Sequence, residues 1–414
     1  MPGPTIYLDH AATAPLRPEV LDAMLPLLRD GWGNPSSAHA AGRRARSALD
    51  EARERVAAVL GATAREIVFT SGGTESINLA LKGAAWAGSA KGHRIVISAV
   101  EHHAVEHAAR HLERFGFEVA MVPVDRYGRV DPDEVEAAIT DRTVVVSVMT
   151  ANNEVGTIQP IAEIGERLRR HRGVLFHTNA VQAAPWLALD VDALGVDLLS
   201  IAGHKLGGPK GVGALYVRRG TNLVAQQHGG GQERYRRAGT EDVAYATALA
   251  TALDLAVAER PVVVPRVALL RDRLASAVVA QGVALTGHPT ERLPNSLSVV
   301  VGDVDGAEVA TALDLDGLQC STGSACATGS DEVSHVLAAM GFPEEEARGA
   351  LRLSLGRTTT DDEVDRAMAI VPTTIARIRD ASAALAGDPI GVDSRTGDGY
   401  QPAAHGRSTG TDGR

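Results

Sequence analysis

The sequence predicts an α/β fold in which a mostly parallel sheet is covered by helices, followed by a smaller α+β part. Short β-branched runs such as "HRIVISAV" and "TVVVSVMT" alternate with helical stretches such as "ESINLALKGAAW". This alternation is typical of a parallel sheet with helices on its faces. Ligands of such sheets bind beyond the carboxyl ends of the strands. Polar residues that directly follow a predicted strand are therefore the first candidates for a functional site.

The individual elements follow from the same pattern. Six strands are predicted in the first part of the chain: "REIVFT", "HRIVISAV", "FEVAMVPV", "TVVVSVMT", "GVLFHT" and "DLLSIA". Helices are predicted between them, among others at "ESINLALKGAAW" and "PIAEIGERLRRH". The second part predicts a long helix from about Arg260, the strand "NSLSVVV", a helix from about Ala307, the segments "LQCSTGSAC" and "ALRLSLGR", and a final helix ending near Ala386.

These elements suggest two domains and a tail. We expect a large domain at residues 16–260 and a small domain formed by residues 1–15 and 261–386. Residues 387–414 are rich in Gly, Ser, Thr and Asp and lack apolar periodicity, so they are predicted to be disordered.

Composition excludes several classes of protein. The chain has 414 residues, 44% hydrophobic residues and a formal net charge of -10, which favours a soluble globular protein and argues against general binding to nucleic acid. The N-terminus does not resemble a secretory signal, and no run reaches the roughly 18 apolar residues of a membrane span. Only Cys320 and Cys326 occur, too few for a disulfide framework. We expect a cytoplasmic protein that does not contact the membrane.

The segment "TSGGTESINLALKG" indicates a turn that can bind an anion. A strand is predicted to end at Thr70, Gly72 and Gly73 allow a tight turn, and Thr74 is expected to cap a helix beginning near Glu75. Backbone N–H groups at such a helix start suit a phosphate. An ordinary capping turn explains this stretch alone equally well.

One lysine stands out in "GHKLGGPKG", which follows the last predicted strand. An amine held in low dielectric has a depressed pKa and becomes usable for Schiff-base chemistry, which makes Lys205 a candidate nucleophile. A surface lysine, as expected for Lys210, is the alternative. The preceding strand ends in "HTNAVQ", which supplies the polar residues His177, Asn179 and Gln182.

Taken together, the segments resemble the cysteine desulfurases, which belong to the class V family of pyridoxal phosphate (PLP) enzymes. The resemblance rests on "TSGGTE", "EHHAVEH", "ANNEVG", "HTNAVQ", "GHKLGGPKG", "GSACATG" and "RLSLGR" in this order, and it runs from "YLDHAAT" at Tyr7 to about Ala386. It implies the aspartate aminotransferase-like fold of PLP-dependent transferases. The cysteine segment is similar to the long-loop type of desulfurase.

The resemblance also implies roles for single residues. Lys205 would hold PLP covalently, and His102 would stack on its pyridine ring and exchange protons with thiols. The PLP phosphate would contact Gly73, Thr74, His204 and, across a homodimer, Thr240. The phenolic oxygen of PLP would contact Gln182. The substrate carboxylate would bind Asn153 and Arg352, a task for which a bidentate arginine is well suited. His103, His107 and His111 look like one helix face rather than a metal site, and no metal is expected.

The resemblance gives Cys326 the central role in sulfur transfer. It lies in "STGSACATGSDEV", a segment of small polar residues in which an exposed thiol is expected. The freed Lys205 amine would remove the Cα proton of L-cysteine, Cys326 would take the sulfur as a persulfide, and L-alanine would leave. An iron–sulfur scaffold or an enzyme of tRNA or other thiolation would accept the sulfur. Cys320, at the end of an apolar strand, is expected to be structural.

Two positions depart from the family pattern. Asn179 stands where the family has an aspartate that keeps the pyridine nitrogen protonated, and Ala202 stands where a serine commonly contacts the phosphate. We expect Asn179 to slow the reaction without loss of the fold. Two other functions therefore stay open: a PLP-dependent C–S lyase or selenocysteine lyase, and an impaired PLP-binding scaffold for a sulfur acceptor.

Overall fold

The structure, a computed structural model, describes residues 5–323 and 333–387. A seven-stranded sheet forms the centre of the first part of the chain. Its strands are β2 (Ile67–Thr70), β3 (Arg94–Ser98), β4 (Glu118–Val122), β5 (Thr143–Ser147), β6 (Leu175–Asn179), β7 (Leu198–Ala202) and β8 (Gly213–Val217). They lie in the order β2-β8-β7-β6-β5-β3-β4. Strand β8 runs antiparallel to both of its neighbours, β2 and β7, and the other strand pairs of this sheet are parallel. The predicted mostly parallel sheet and all six predicted strands are therefore confirmed.

Helices cover both faces of this sheet. Strand β3 shows why: Val96 packs into one hydrophobic core, whereas Ile95 and Ile97 pack into another on the opposite face. Such strands need apolar cover on both sides. The helices of this part are α1 (Pro18–Arg29), α2 (Ala40–Val59), α3 (Gly73–Gly88), α4 (His103–Glu113), α5 (Pro132–Ala137), α6 (Ile161–Leu168) and α7 (Val191–Leu194).

The second part of the chain forms two small sheets with helices beside them. Strands β9 (Ala284–Leu285), β10 (Ser296–Val300) and β12 (Ala350–Ser354) are antiparallel in the order β12-β10-β9. Strand β1 (Ile6–Tyr7) pairs in parallel with β11 (Leu318–Gln319), so the N-terminus joins this part. Its helices are α8 (Val243–Val279), α9 (Gly306–Leu315), α10 (His335–Ala339), α11 (Glu344–Ala347) and α12 (Asp361–Gly387).

The long helix begins earlier than the sequence pattern predicts. A start near Arg260 is wrong, because α8 already begins at Val243 and continues through Pro261 and Pro265. Each proline removes one backbone hydrogen bond. Buried side chains on both sides of the prolines, such as Leu253 and Leu270, hold the helix against the core. The predicted division of the chain at residues 260 and 261 stays a prediction and falls inside this helix.

The remaining predicted elements of the second part are found. The strand "NSLSVVV" is β10, the helix expected from about Ala307 is α9, and the final helix ends at Gly387. In the described parts of the chain, no helix combines the length and apolar character that crossing a bilayer requires. Gly387, the first residue of the predicted disordered tail at 387–414, belongs to the final helix. Residues 324–332, which include Cys326, and residues 388–414 of that tail lie outside the described residues.

Candidate active site

A cavity of about 400 Å³ lies where the carboxyl ends of β6 and β7 meet the start of α3. Ten residues singled out from the sequence line it: Gly73, Thr74, His102, Asn153, Asn179, Gln182, Ala202, His204, Lys205 and Arg352. Thr240 is exposed and does not line this cavity, so its expected role across a dimer stays a prediction. The expected role of Cys326 falls outside the described residues.

The start of α3 forms one wall, and it differs from the prediction in detail. The helix begins at Gly73, not near Glu75, and its N-cap is Gly72 rather than Thr74, with no side chain capping it. Gly72 has φ +149, a conformation that favours glycine and lets the chain turn two residues early. Gly73 and Thr74 therefore lie in the first turn, where N–H groups have no partner within the helix. They present donors to the cavity, as an anion site requires.

The side chains around Gly73 leave little room for a larger residue at this position of the wall. A Cβ atom added to Gly73 would lie 2.9 Å from Val181 Cγ2 and 3.6 Å from the Cβ of Ala202. A larger side chain at this position would have to displace its neighbours. Glycine at the first helical position thus leaves the backbone N–H groups open to the cavity.

Lys205 lies at the end of a short 3-10 turn, Gly203–Lys205, directly after β7. Its side chain is half-buried, and its Nζ donates to the carbonyl oxygens of Ala11 and, at 2.6 Å, of Ala12. Both acceptors come from the N-terminal segment. The amine is therefore oriented by main-chain oxygens next to the cavity that it lines.

Two histidines beside Lys205 are held neutral. Burial, followed by the charge of Lys205, lowers the pKa of His102 to about 4 and that of His204 to about 4. His102 is the N-cap of α4, and its Nδ1 accepts from the N–H of Ala104 at 3.0 Å. A neutral ring that accepts at Nδ1 carries its proton on Nε2. His204 Nδ1 lies 3.2 Å from the hydroxyl of Thr13.

Asn179 ends β6, and its amide orientation follows from one hydrogen bond. Its Oδ1 accepts from the N–H of Val181 at 3.1 Å, and the residue is 5% exposed. A backbone N–H can only donate, so the amide oxygen must face Val181 and the NH₂ group is the part left to interact elsewhere. Nearby, Gln182 Nε2 donates to the carbonyl oxygen of Ala11 at 2.9 Å.

Arg352 stands on β12 and reaches the same cavity from the second part of the chain. Its side chain is 2% exposed; Nη1 donates to the carbonyl oxygen of Asn153 and Nη2 to Asp9 Oδ1, both at 2.9 Å. Within the described residues, its buried Nε has no hydrogen-bond partner. A buried donor without an acceptor is costly. The guanidinium is thus fixed in place and keeps unused capacity for an anion.

The cavity region also contains carboxyl groups that were not predicted from the sequence. Burial raises the pKa of Glu101 to about 8 and that of Glu154 to about 7. Asp9 pairs with Arg352 across 343 residues of sequence. The available signals were the "VEHH" and "YLDH" segments, in which an acidic residue directly follows an apolar one. Neither signal indicates the partner.

Cys320 has the environment of a structural thiol. It is half-buried next to β11, and burial, followed by the charge of Asp9, raises its pKa to about 12. A thiol with such a pKa stays protonated at neutral pH and is a poor nucleophile. This environment supports the structural role expected for Cys320.

The chain resembles known proteins over nearly its whole length. The family model described as "Aminotransferase class-V" matches residues 6–367. Cysteine desulfurase IscS of Methanosarcina thermophila is 48% identical over 378 residues, which cover 91% of this chain and 93% of that protein. Cysteine desulfurase IscS 1 of Archaeoglobus fulgidus is 42% identical, with 91% of this chain and 98% of that protein covered.

Solved structures give the same assignment. A structure described as a NifS-like protein superposes with a TM-score of 0.85 at 36% identity and covers 90% of this chain and 100% of its own. SspA in complex with cysteine superposes with a TM-score of 0.75 at 35% identity, covering 86% of this chain and 100% of its own. These matches confirm the fold and the family expected from the motifs. The chain belongs to the aminotransferase class-V family and, within it, to the cysteine desulfurases.

Proposed function

We propose that this chain binds PLP in the cavity and converts L-cysteine to L-alanine, with the sulfur passing to Cys326 as a persulfide. The observation that carries the proposal is the convergence of Lys205, Asn179, Arg352 and the start of α3 on one cavity. The related SspA structure is described as a complex with cysteine, which supports L-cysteine as the substrate here. The C–S lyase and scaffold alternatives have no such support.

The residues fit the cofactor. The first-turn N–H groups of Gly73 and Thr74 suit its phosphate, and the crowding around Gly73 keeps that wall free of side chains. Lys205 supplies the amine for covalent attachment. The NH₂ group of Asn179 suits a pyridine nitrogen that carries no proton, because the amide oxygen is already used by Val181.

The protein side chains orient the substrate and move its protons. PLP, when bound, supplies an electron sink for the negative charge that develops at Cα. Arg352 holds the substrate carboxylate, for which its buried Nε, unpartnered among the described residues, is available. The Nζ of Lys205 would accept the Cα proton. His102 is neutral at pH 7, so its Nε2–H can donate without adding a charge to the cavity.

The sulfur transfer balances without an external oxidant. The thiolate of Cys326 attacks the substrate sulfur, so an S–S bond forms as the Cβ–S bond breaks. The electron pair of the broken bond stays with the carbon, which takes up a proton. The products are L-alanine and a persulfide on Cys326.

The partners of the reaction belong to the same proposal. The homodimer would bring Thr240 to the phosphate of the neighbouring cavity. The persulfide sulfur would pass in the cytoplasm to an acceptor protein of iron–sulfur cluster assembly or thiolation. Variants of Cys326 and Cys320 test the first step, in which sulfur passes from the substrate to the enzyme.

The experiment measures L-alanine and sulfide from L-cysteine, with and without reductant. We expect Cys326→Ala to abolish persulfide formation, whereas the matched variant Cys320→Ala retains it because that thiol stays protonated. Lys205→Ala should abolish alanine formation, and the exposed Lys210→Ala should not. Pyruvate as the product, or alanine formation that persists in Cys326→Ala, would contradict the proposal.

A further inference from the structure

Three side chains beside the cavity form a cluster that the proposed reaction does not use. His103 and Glu106 stand on the first turn of α4, and His335 is the first residue of α10. One potential ligand atom from each lies within 4.8 Å of the other two. In the sequence, His103 shares a helix face with His107 and His111. The structure instead joins it to a residue 232 positions away.

A hydrogen bond determines which ring nitrogen of His335 can act as a ligand. His335 Nε2 lies 2.8 Å from the carbonyl oxygen of Glu101, which can only accept, so Nε2 carries the proton and Nδ1 the lone pair. Within the described residues, the buried Nδ1 atoms of both His335 and His103 have no hydrogen-bond partner. Histidines that bind metals commonly donate their other ring N–H to a backbone carbonyl in this way.

The carboxylate is positioned in a matching way. Arg110 Nε donates to Glu106 Oε1 at 2.8 Å, while Glu106 Oε2 lies 3.7 Å from His103 Nδ1. Carboxylates that bind metals are likewise held through their second oxygen. Ligand atoms of a tetrahedral site with bonds of about 2.0–2.2 Å lie about 3.3–3.6 Å apart, so small side-chain rotations suffice to close this cluster.

We propose that His103, Glu106 and His335 bind a divalent transition-metal cation of the Zn²⁺ or Co²⁺ type. Two imidazole nitrogens with one carboxylate oxygen favour such a cation over Mg²⁺ or Ca²⁺, which prefer oxygen ligands alone. Three protein ligands leave the fourth tetrahedral position open. His103 and His335 both line the cavity that contains Lys205, so the bound metal would lie at the cavity wall.

The test uses the PLP-loaded full-length protein and Co²⁺, whose visible absorption reports tetrahedral coordination, followed by Zn²⁺ competition and measurement of bound metal after dialysis. We expect one equivalent of metal in the native chain. Both His103→Ala and His335→Ala should lower the affinity at least tenfold, and Glu106→Gln should lower it less. The matched control is His111→Ala, a histidine of the same helix outside the cluster, which should bind like the native chain.

Two further measurements separate metal binding from other effects. Thermal unfolding without metal shows whether each variant is folded, and added Zn²⁺ should raise the melting temperature of the native chain and of His111→Ala but not of His335→Ala. Cys326→Ala should retain the metal, because the proposed ligands contain no thiol. Absence of stoichiometric binding, native affinity in His335→Ala, or loss of binding in Cys326→Ala would overturn the proposal.

Discussion

The replacement of Asn179 by aspartate gives the sharpest test of how this cavity controls the proposed reaction. The two side chains have nearly the same shape, and one carboxylate oxygen can accept the Val181 N–H as Oδ1 does now. The second oxygen then replaces the NH₂ group. The substitution therefore exchanges a neutral donor for a charged acceptor at the position that we propose to face the pyridine nitrogen, and a protonated nitrogen would become favourable.

The expected size of the effect follows from the burial of this residue. Asn179 is 5% exposed, so solvent screens the new charge only weakly. Hydrogen bonds to charged groups contribute about 1.5–3 kcal/mol and neutral ones about 0.5–1.5 kcal/mol. A difference of about 1.4 kcal/mol in the barrier corresponds to a tenfold change in rate. We therefore expect Asn179→Asp to raise the turnover of L-cysteine at least tenfold.

Two assays are needed to interpret this result. The first is the rate of L-alanine formation at saturating L-cysteine and PLP, and the second is the dissociation constant of PLP from fluorescence titration, which should fall in Asn179→Asp. Asn179→Ala serves as the control, because it loses both the Val181 hydrogen bond and the amide donor and should not exceed the native turnover. Unchanged turnover in a folded, PLP-saturated Asn179→Asp protein would refute the reasoning.

Two further predictions concern other buried ionisable side chains. Arg352→Lys keeps the positive charge but loses the planar guanidinium, which can form two hydrogen bonds to one carboxylate. In steady-state kinetics, the KM for L-cysteine should rise about tenfold with a smaller change in kcat. An unchanged KM would argue against carboxylate binding by Arg352. Burial raises the pKa of Glu101 from 4.5 to about 8. The protonated form therefore contributes its full stability below pH 4.5, and this contribution is lost as the pH rises through about 8. Glu101→Gln cannot ionise, and its free energy of unfolding, from urea titrations, should fall less between pH ~5 and ~8. Parallel pH profiles of the native chain and Glu101→Gln would show that Glu101 does not titrate in this range.

The parts of the site that the sequence predicted are those encoded locally. Lys205 and Asn179 each follow a buried strand closely, and the carboxyl ends of neighbouring parallel strands meet at one edge of the sheet. Their meeting therefore follows from strand pattern and topology. The start of α3 was predicted to within two residues. The remaining error arises because the helix boundary depends on which glycine makes the turn.

The parts that were missed depend on distant pairing. The ion pair between Arg352 and Asp9 joins residues 343 positions apart, and the approach of His335 to His103 needs both parts of the chain to be packed. No local spacing encodes either contact. The early start of α8 was missed for a related reason, because packing on both sides of Pro261 overrides the usual preference of proline for the first turn of a helix.

The N-terminal segment at residues 9–12 explains how the site combines groups from both parts of the chain. Its carbonyl oxygens at Ala11 and Ala12 hold Lys205, which follows the large sheet, and its carboxylate at Asp9 holds Arg352, which belongs to the small one. Three residue steps span at most about 11 Å. One short stretch of backbone thus limits the separation between the amine and the guanidinium. An α-amino acid, whose amino and carboxylate groups lie on the same carbon, matches that constraint better than an amino acid in which several carbons separate the two groups.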